Sequence, residues 1–132
     1  MITRAVPGLT KQAVKPMFDR LVKEYSSATI DRGVDAAAFD WALHPGGAAV
    51  IDGVKAAMQL TEDQLRATRE IYRTRGNSSS PTVLIVLDRL RGMGRGRGHV
   101  VATSFGPGLT IEMVMLEHCR TKNAAYHVLN GA

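Results

Sequence analysis

The stretch Phe39-Asp40-Trp41-Ala42-Leu43-His44-Pro45-Gly46-Gly47 decides how this sequence is read. Its first five residues alternate in the manner of a short, half-buried strand. The strand stops where Pro45 withdraws a backbone donor and two glycines free the chain. Beyond them Val50, Ile51, Val54, Ala57 and Met58 recur at helical spacing, so His44 sits on a strand-to-helix turn with unpaired helix amides just past it. Such turns hold reactive and ligand-binding groups, because rigid elements on both sides fix a side chain that the loop leaves accessible.

Upstream, Val14, Met17, Phe18, Leu21, Val22 and Tyr25 mark one face of a helix over residues 8–25, with Thr10 as a cap and Pro16 arguing for a kink or a late start. Ser26, Ser27, Asp31, Arg32 and Gly33 read as a loop. Downstream, Thr61-Glu62-Asp63-Gln64 reads as a capping box that opens a helix closed by Gly76. Ser80 and Pro81 then start another, over residues 82–91, whose apolar side chains lie nearly all round it, so it is expected to be central and buried. Residues 89–98 carry four arginines and four glycines and, beyond the end of that helix, read as a mobile loop. Two strands, residues 99–105 and 109–117, follow, joined tightly by Gly106-Pro107-Gly108. The order helix, strand, helix, helix, buried helix, strand, strand gives an α/β layered domain.

Composition narrows the rest. At 132 residues, 45% apolar and 22% charged, the chain suits one domain with one core and excludes a disordered tail. A net charge of +5 favours anionic partners without choosing between nucleic acid and a phosphorylated ligand. The single cysteine, Cys119, allows neither an internal disulfide nor a cysteine-rich zinc module, and His99, His118 and His127 fall in no metal-ligand spacing, so no metal is expected. The longest apolar run, residues 83–87, is too short to span a membrane, and the first residues lack a secretory stretch, which leaves a cytoplasmic location as the expectation.

Two residues stand out chemically. An imidazole at His44, given room by Gly46 and Gly47, and a carboxamide at Asn77, ahead of an apolar helix, could aim two N–H donors at one point. Such a pair forms an oxyanion hole, stabilising the charge that develops on oxygen in acyl transfer or enolate formation.

Three motifs, His44-Pro45-Gly46-Gly47, Gly76-Asn77-Ser78-Ser79-Ser80 and Phe105-Gly106-Pro107-Gly108-Leu109-Thr110, in this order, resemble the C-terminal half of type III polyketide synthases, the chalcone and stilbene synthase family of the thiolase superfamily. The likeness runs nearly unbroken over residues 6–116, through Leu65-Arg66-Ala67-Thr68-Arg69 and Leu87-Asp88-Arg89-Leu90-Arg91, and is nearest to fungal and bacterial members. It implies a thiolase-like α/β fold: an α-β-α layered half with a mixed sheet and a buried central helix over residues 1–120, and an extension at 121–132. It also implies an acyltransferase that condenses malonyl-CoA, with loss of CO2, onto an acyl-CoA starter, with CoA thioesters as substrates and no cofactor.

By that resemblance His44 and Asn77 are the catalytic pair that holds the malonyl thioester carbonyl and steadies the enolate, and His44 also pairs with the nucleophile. Gly46, Gly47 and Ala49 match the segment at the CoA entrance, Ser79 a cavity-side serine, and Phe105, Gly106, Pro107 and Gly108 the loop that shapes the cyclisation cavity. Ser104 stands where plant members commonly have glycine, which bears on the outline of that cavity.

The family's nucleophilic cysteine and the basic residues that grip the CoA phosphates belong to its N-terminal half, and this sequence begins after both. Cys119, in Leu116-Glu117-His118-Cys119-Arg120, resembles no part of the nucleophile motif. The resemblance therefore implies a half that is inactive alone, completed by the missing N-terminal half or a complete synthase subunit, or a homo-oligomer. An uncovered apolar patch of ~500 Å2, at ~25 cal/mol per Å2, would forgo roughly 12 kcal/mol, as much as a whole domain's stability. Two alternatives remain: a non-catalytic partner of a complete synthase, and an RNA-binding arm at 89–98. The latter is disfavoured because no aromatic residue interleaves with those arginines.

Overall fold

Apolar β-formers at 99–105 and 109–117 pair as expected, and the strand that ends at His44 joins them. In the computed structural model, which describes residues 5–26, 34–94 and 96–118, β1 (Asp40–Leu43) runs parallel to β2 (His99–Gly106), and β2 runs antiparallel to β3 (Thr110–Glu117). The sheet is therefore mixed, in the order β1-β2-β3. A single 3-10 turn, Pro107–Leu109, links β2 to β3.

Helices cover both faces. On one side α1 (Val6–Ser26) and α2 (Ala48–Met58) bring Val14, Phe18, Ile51 and Val54 against Phe39, Trp41, Leu43 and Val101. On the other, α3 (Arg66–Arg75) and α4 (Thr82–Gly92) bring Ile71, Val86 and Leu90 against Ala42 and Val100. Because both faces are covered, β1 is buried along its whole length, which corrects the half-buried reading drawn from its alternation.

The residue responsible for that misreading is Asp40, fully buried at 0% exposure. Its Oδ1 accepts from Nη1 of Arg66 and of Arg97, each at 3.1 Å, and its Oδ2 accepts the Arg97 backbone N–H at 2.8 Å. A buried carboxylate is tolerated only with such compensation. Beyond the end of α4 the described residues of the 89–98 stretch leave regular structure, as expected, but the same contacts anchor that stretch at Arg97. Helix α4 runs through Gly92, Arg89 pairs with Glu70 and Arg91 with Asp88, and Arg97 also donates to Ala37 O at 2.9 Å and to Asp63 Oδ2 at 3.1 Å. Arg95 lies outside the described residues.

Other boundaries shift for local reasons. Helix α1 starts at Val6 and runs through Pro16, which stands on the exposed side beside Gln12, so the carbonyl that loses its helical donor there faces solvent. Thr10 lies inside that helix rather than capping it. The Thr61–Gln64 box does form, with the Gln64 amide donating to Thr61 Oγ1 at 3.2 Å and the Thr61 amide to Gln64 Oε1 at 3.0 Å, but it closes a turn and α3 begins only at Arg66. Pro81, not Ser80, is the N-cap of α4.

The largest correction concerns α4, expected to be a buried central helix. Only Thr82, Val86 and Leu90 of it are buried, and Leu84 is 64% exposed. Val114 and Leu116, on the same side of the sheet, are exposed too, because α4 covers β1 and β2 and stops short of β3. Cys119, His127 and the 121–132 extension lie outside the described residues.

Candidate active site

Four segments converge beside the sheet. β1 delivers His44, whose backbone N–H continues the ladder to Thr103 O at 2.8 Å. The α3–α4 turn delivers Asn77, the end of β2 delivers Phe105, and the β2–β3 turn delivers Gly106, Pro107, Gly108 and Leu109. Together with Val6, Thr10, Gly46, Val50 and Ser79 they line one cavity of about 610 Å3.

The imidazole, 4% exposed, is held from both sides. The Phe105 N–H donates to Nδ1 at 3.2 Å, so Nδ1 carries no proton and the ring hydrogen is on Nε2. That Nε2–H meets Asn77 Oδ1 at 2.8 Å. The Phe105 ring lies tilted against the imidazole, centroids 5.8 Å apart. Asn77 Oδ1 also accepts the Ser79 N–H at 2.9 Å, an Asx turn that identifies the oxygen end of the amide and leaves its NH2 free of that contact. The expected partners thus meet, but with one correction. The two N–H donors do not yet aim at one point, because the Asn77 oxygen faces the imidazole. An incoming oxygen would take the Nε2–H away from Asn77 Oδ1 and find the Asn77 NH2 beside it.

Local backbone explains how so many turns fit. Gly47 adopts φ +140, open in practice only to glycine, and caps α2. Ser79 and Leu109, at φ +69 and +59, are non-glycine residues in the left-handed region, and both line the cavity. Strain of this kind collects at sites whose geometry is over-determined by their surroundings. Ser104 Oγ reaches Ser80 O at 3.3 Å, tying β2 to the Asn77 turn.

Of the residues singled out from the sequence, His44, Asn77, Gly46, Ser79, Phe105, Gly106, Pro107 and Gly108 line the cavity, and Gly47 and Ala49 do not. Thr10, Val6, Val50 and Leu109 line it without having been anticipated. Thr10 could have been found only by knowing that α1 begins early enough to carry it past the His44 turn. Among the described residues the lining holds no thiol, and no group of three His, Cys, Asp or Glu side chains could hold a metal ion.

The pattern described as chalcone and stilbene synthases, C-terminal domain, matches residues 1–120. The chain belongs to that family. It is 57% identical over 129 residues to the type III polyketide synthase pspB of Penicillium soppii, covering 90% of this chain and 32% of that protein. It superposes on a type III pentaketide synthase from Neurospora crassa with a TM-score of 0.82 at 38% identity, covering 88% of this chain and 33% of that one. It also superposes on CsyB complexed with CoA-SH, with a TM-score of 0.79 at 32% identity, covering 89% and 32%. The α/β fold is therefore the thiolase-like fold of type III polyketide synthases, and the chain spans about a third of the length of these relatives. Among the described residues no helix is long and apolar enough to cross a membrane.

Proposed function

We propose that His44 and Asn77 are the oxyanion donors of a decarboxylative Claisen condensation, and that the cavity receives CoA thioesters. The observation that carries this reading is the 2.8 Å contact between His44 Nε2 and Asn77 Oδ1 on the cavity wall. With Nδ1 occupied by Phe105, the ring can serve the cavity only through Nε2–H, as a donor. Malonyl-CoA would place its thioester oxygen between Nε2–H and the Asn77 NH2. As the bond to the carboxylate breaks and CO2 leaves, the electron pair passes into an enolate whose negative oxygen these donors stabilise. The enolate carbon then attacks the acyl thioester carbon, a C–C bond forms, and the thiolate departs.

The nucleophilic cysteine would come from outside the described residues, from an N-terminal half or another synthase subunit. The binding of CoA-SH by CsyB supports CoA thioesters as the ligands, with Gly46 and Ser79 lining their path and Gly47 and Ala49 shaping the turn behind it. No cofactor enters this scheme, and a cytoplasmic location goes with it. Among the described residues, the exposed side chains of Leu84 on α4 and of Val114 and Leu116 on β3 support a covering partner, either that missing half or a second copy. Pairing of Arg89, Arg91 and Arg97 with carboxylates weighs against an RNA-binding arm.

The test is kinetic, in a complete synthase carrying this sequence. His44→Ala and Asn77→Ala are each expected to lower malonyl-CoA decarboxylation about 10²–10³-fold. Rates within about twofold of the parent would end the proposal. For the partner, light scattering after size exclusion is expected to find the 132-residue chain self-associated, and Leu84→Ser less so. A sharp monomer that melts cooperatively would remove the need for a cover.

A further inference from the structure

β1 is an edge strand, and among the described residues no strand lies on its outer side. Because His44 N–H points to β2, the N–H and C=O of Leu43, one residue earlier, point outward. They are nonetheless satisfied. Thr68 Oγ1 accepts the Leu43 N–H at 3.1 Å and donates to the Leu43 C=O at 3.1 Å. One turn earlier, Gln64 Nε2 donates to Phe39 O at 2.9 Å and to Ala36 O at 2.8 Å. Gln64 and Thr68 are 1% and 0% exposed, and together they stand where a neighbouring strand would. A hydroxyl that bridges the N–H and C=O of one residue does what a paired residue on an antiparallel neighbour does.

We propose that Thr68 is a positioning residue for His44. By bridging Leu43 it fixes the peptide from which His44 projects, so that Nδ1 meets the Phe105 N–H while Nε2–H meets Asn77. Leu43 packs its side chain into the α1–α2 core, so the hydroxyl bridge and the core hold the same residue from two directions. The consequence for catalysis rests on the role proposed for His44, whereas the positioning does not.

The test is NMR on the 15N-labelled 132-residue chain. In the unaltered chain the Leu43 amide is expected to exchange with solvent within about tenfold of the His44 amide. Exchange at the rate of an open-edge amide would overturn the proposal. Thr68→Val keeps the shape and removes the hydroxyl, and Thr68→Ser keeps the hydroxyl. The unaltered chain and Thr68→Ser are expected to hold one His44 tautomer with its hydrogen on Nε2. Thr68→Val is expected to mix tautomers and to exchange that hydrogen on the order of tenfold faster. Identical ring signals in Thr68→Val and the parent, or a Thr68→Ser that behaves as Thr68→Val, would also overturn it. Should Thr68→Val not fold, the Leu43 amide and the Thr68→Ser ring decide by the same criteria. None of these readouts needs turnover, so active His44 variants would sink the proposed function and leave this result standing.

Discussion

Asp40 and His44 stand at the two ends of one short strand, both buried, and they do opposite things. Both Asp40 oxygens are taken up by arginines, and Asp40 is not among the residues that line the His44 cavity. His44 is also bonded at both ring nitrogens, but one of its partners is a neutral amide on a cavity wall, which an incoming oxygen can displace. Burial of a polar group therefore does not by itself separate scaffold from site. The separating feature is whether the partner is a fixed opposite charge or an exchangeable dipole facing open space.

The comparison breaks most readily at the scaffold end. Asp40→Ala removes the buried partner of Arg66 and Arg97, which keep Asp63, and is expected to cost about 3 kcal/mol, the low end for a broken buried pair because both arginines retain that carboxylate and some contact with water. In thermal melts that is a loss of about 10 °C. A change of only about 1 °C would mean that Asp40 is as dispensable as a surface carboxylate. Gly96→Ala probes the same clamp from the loop side, since a Cβ there would collide with Asp40 Oδ2. It is expected to cost about 2 kcal/mol by urea unfolding, and a neutral result would show that the loop can lift off the carboxylate freely.

The smallest effect belongs to an exposed counterpart, Glu62, whose carboxyl is held below the usual carboxylate range by hydrogen bonds from Lys55 and Arg69. A depressed carboxylate contributes above its ordinary range and loses that contribution as pH falls through its folded value. Glu62→Gln is therefore expected to differ from the parent by a few tenths of a kcal/mol at neutral pH, and to converge with it once the pH has fallen through the lowered folded value. A loss as large as that of Asp40→Ala would erase the distinction between buried and solvated charge on which the comparison depends.

Much of this was legible in the residues themselves. The element order, the Gly76 stop, the Gly106–Gly108 connection and the two motifs that meet at the cavity were all carried by local signals: turn residues, caps and hydrophobic spacing. What was hidden depended on partners distant along the chain. Asp40 made β1 look half-solvated because its neutralising groups lie 26 and 57 residues away. The Arg-Gly stretch looked mobile for the same reason, since Arg97 is anchored by that carboxylate. Gln64 looked like part of a helix cap; it closes the turn ahead of α3 instead, and its amide nitrogen is spent on the edge of β1, which no local pattern could indicate. The apolar circumference of α4 suggested full burial, yet the described residues supply cover for one side of it only. Asn77 was placed correctly, but the orientation of its amide is set by the left-handed turn at Ser79, which a serine does not announce.

The central claim is that the imidazole and the carboxamide exchange their mutual contact for a shared grip on one thioester oxygen. A crystal structure of a complete synthase carrying this sequence, with a non-reactive malonyl-CoA analogue bound, tests that most directly. The account predicts the analogue's carbonyl oxygen at about 2.7–3.1 Å from both His44 Nε2 and Asn77 Nδ2, with the Nε2–Oδ1 contact lengthened. An analogue bound in the cavity with that contact intact, and its carbonyl held by other groups, would contradict it.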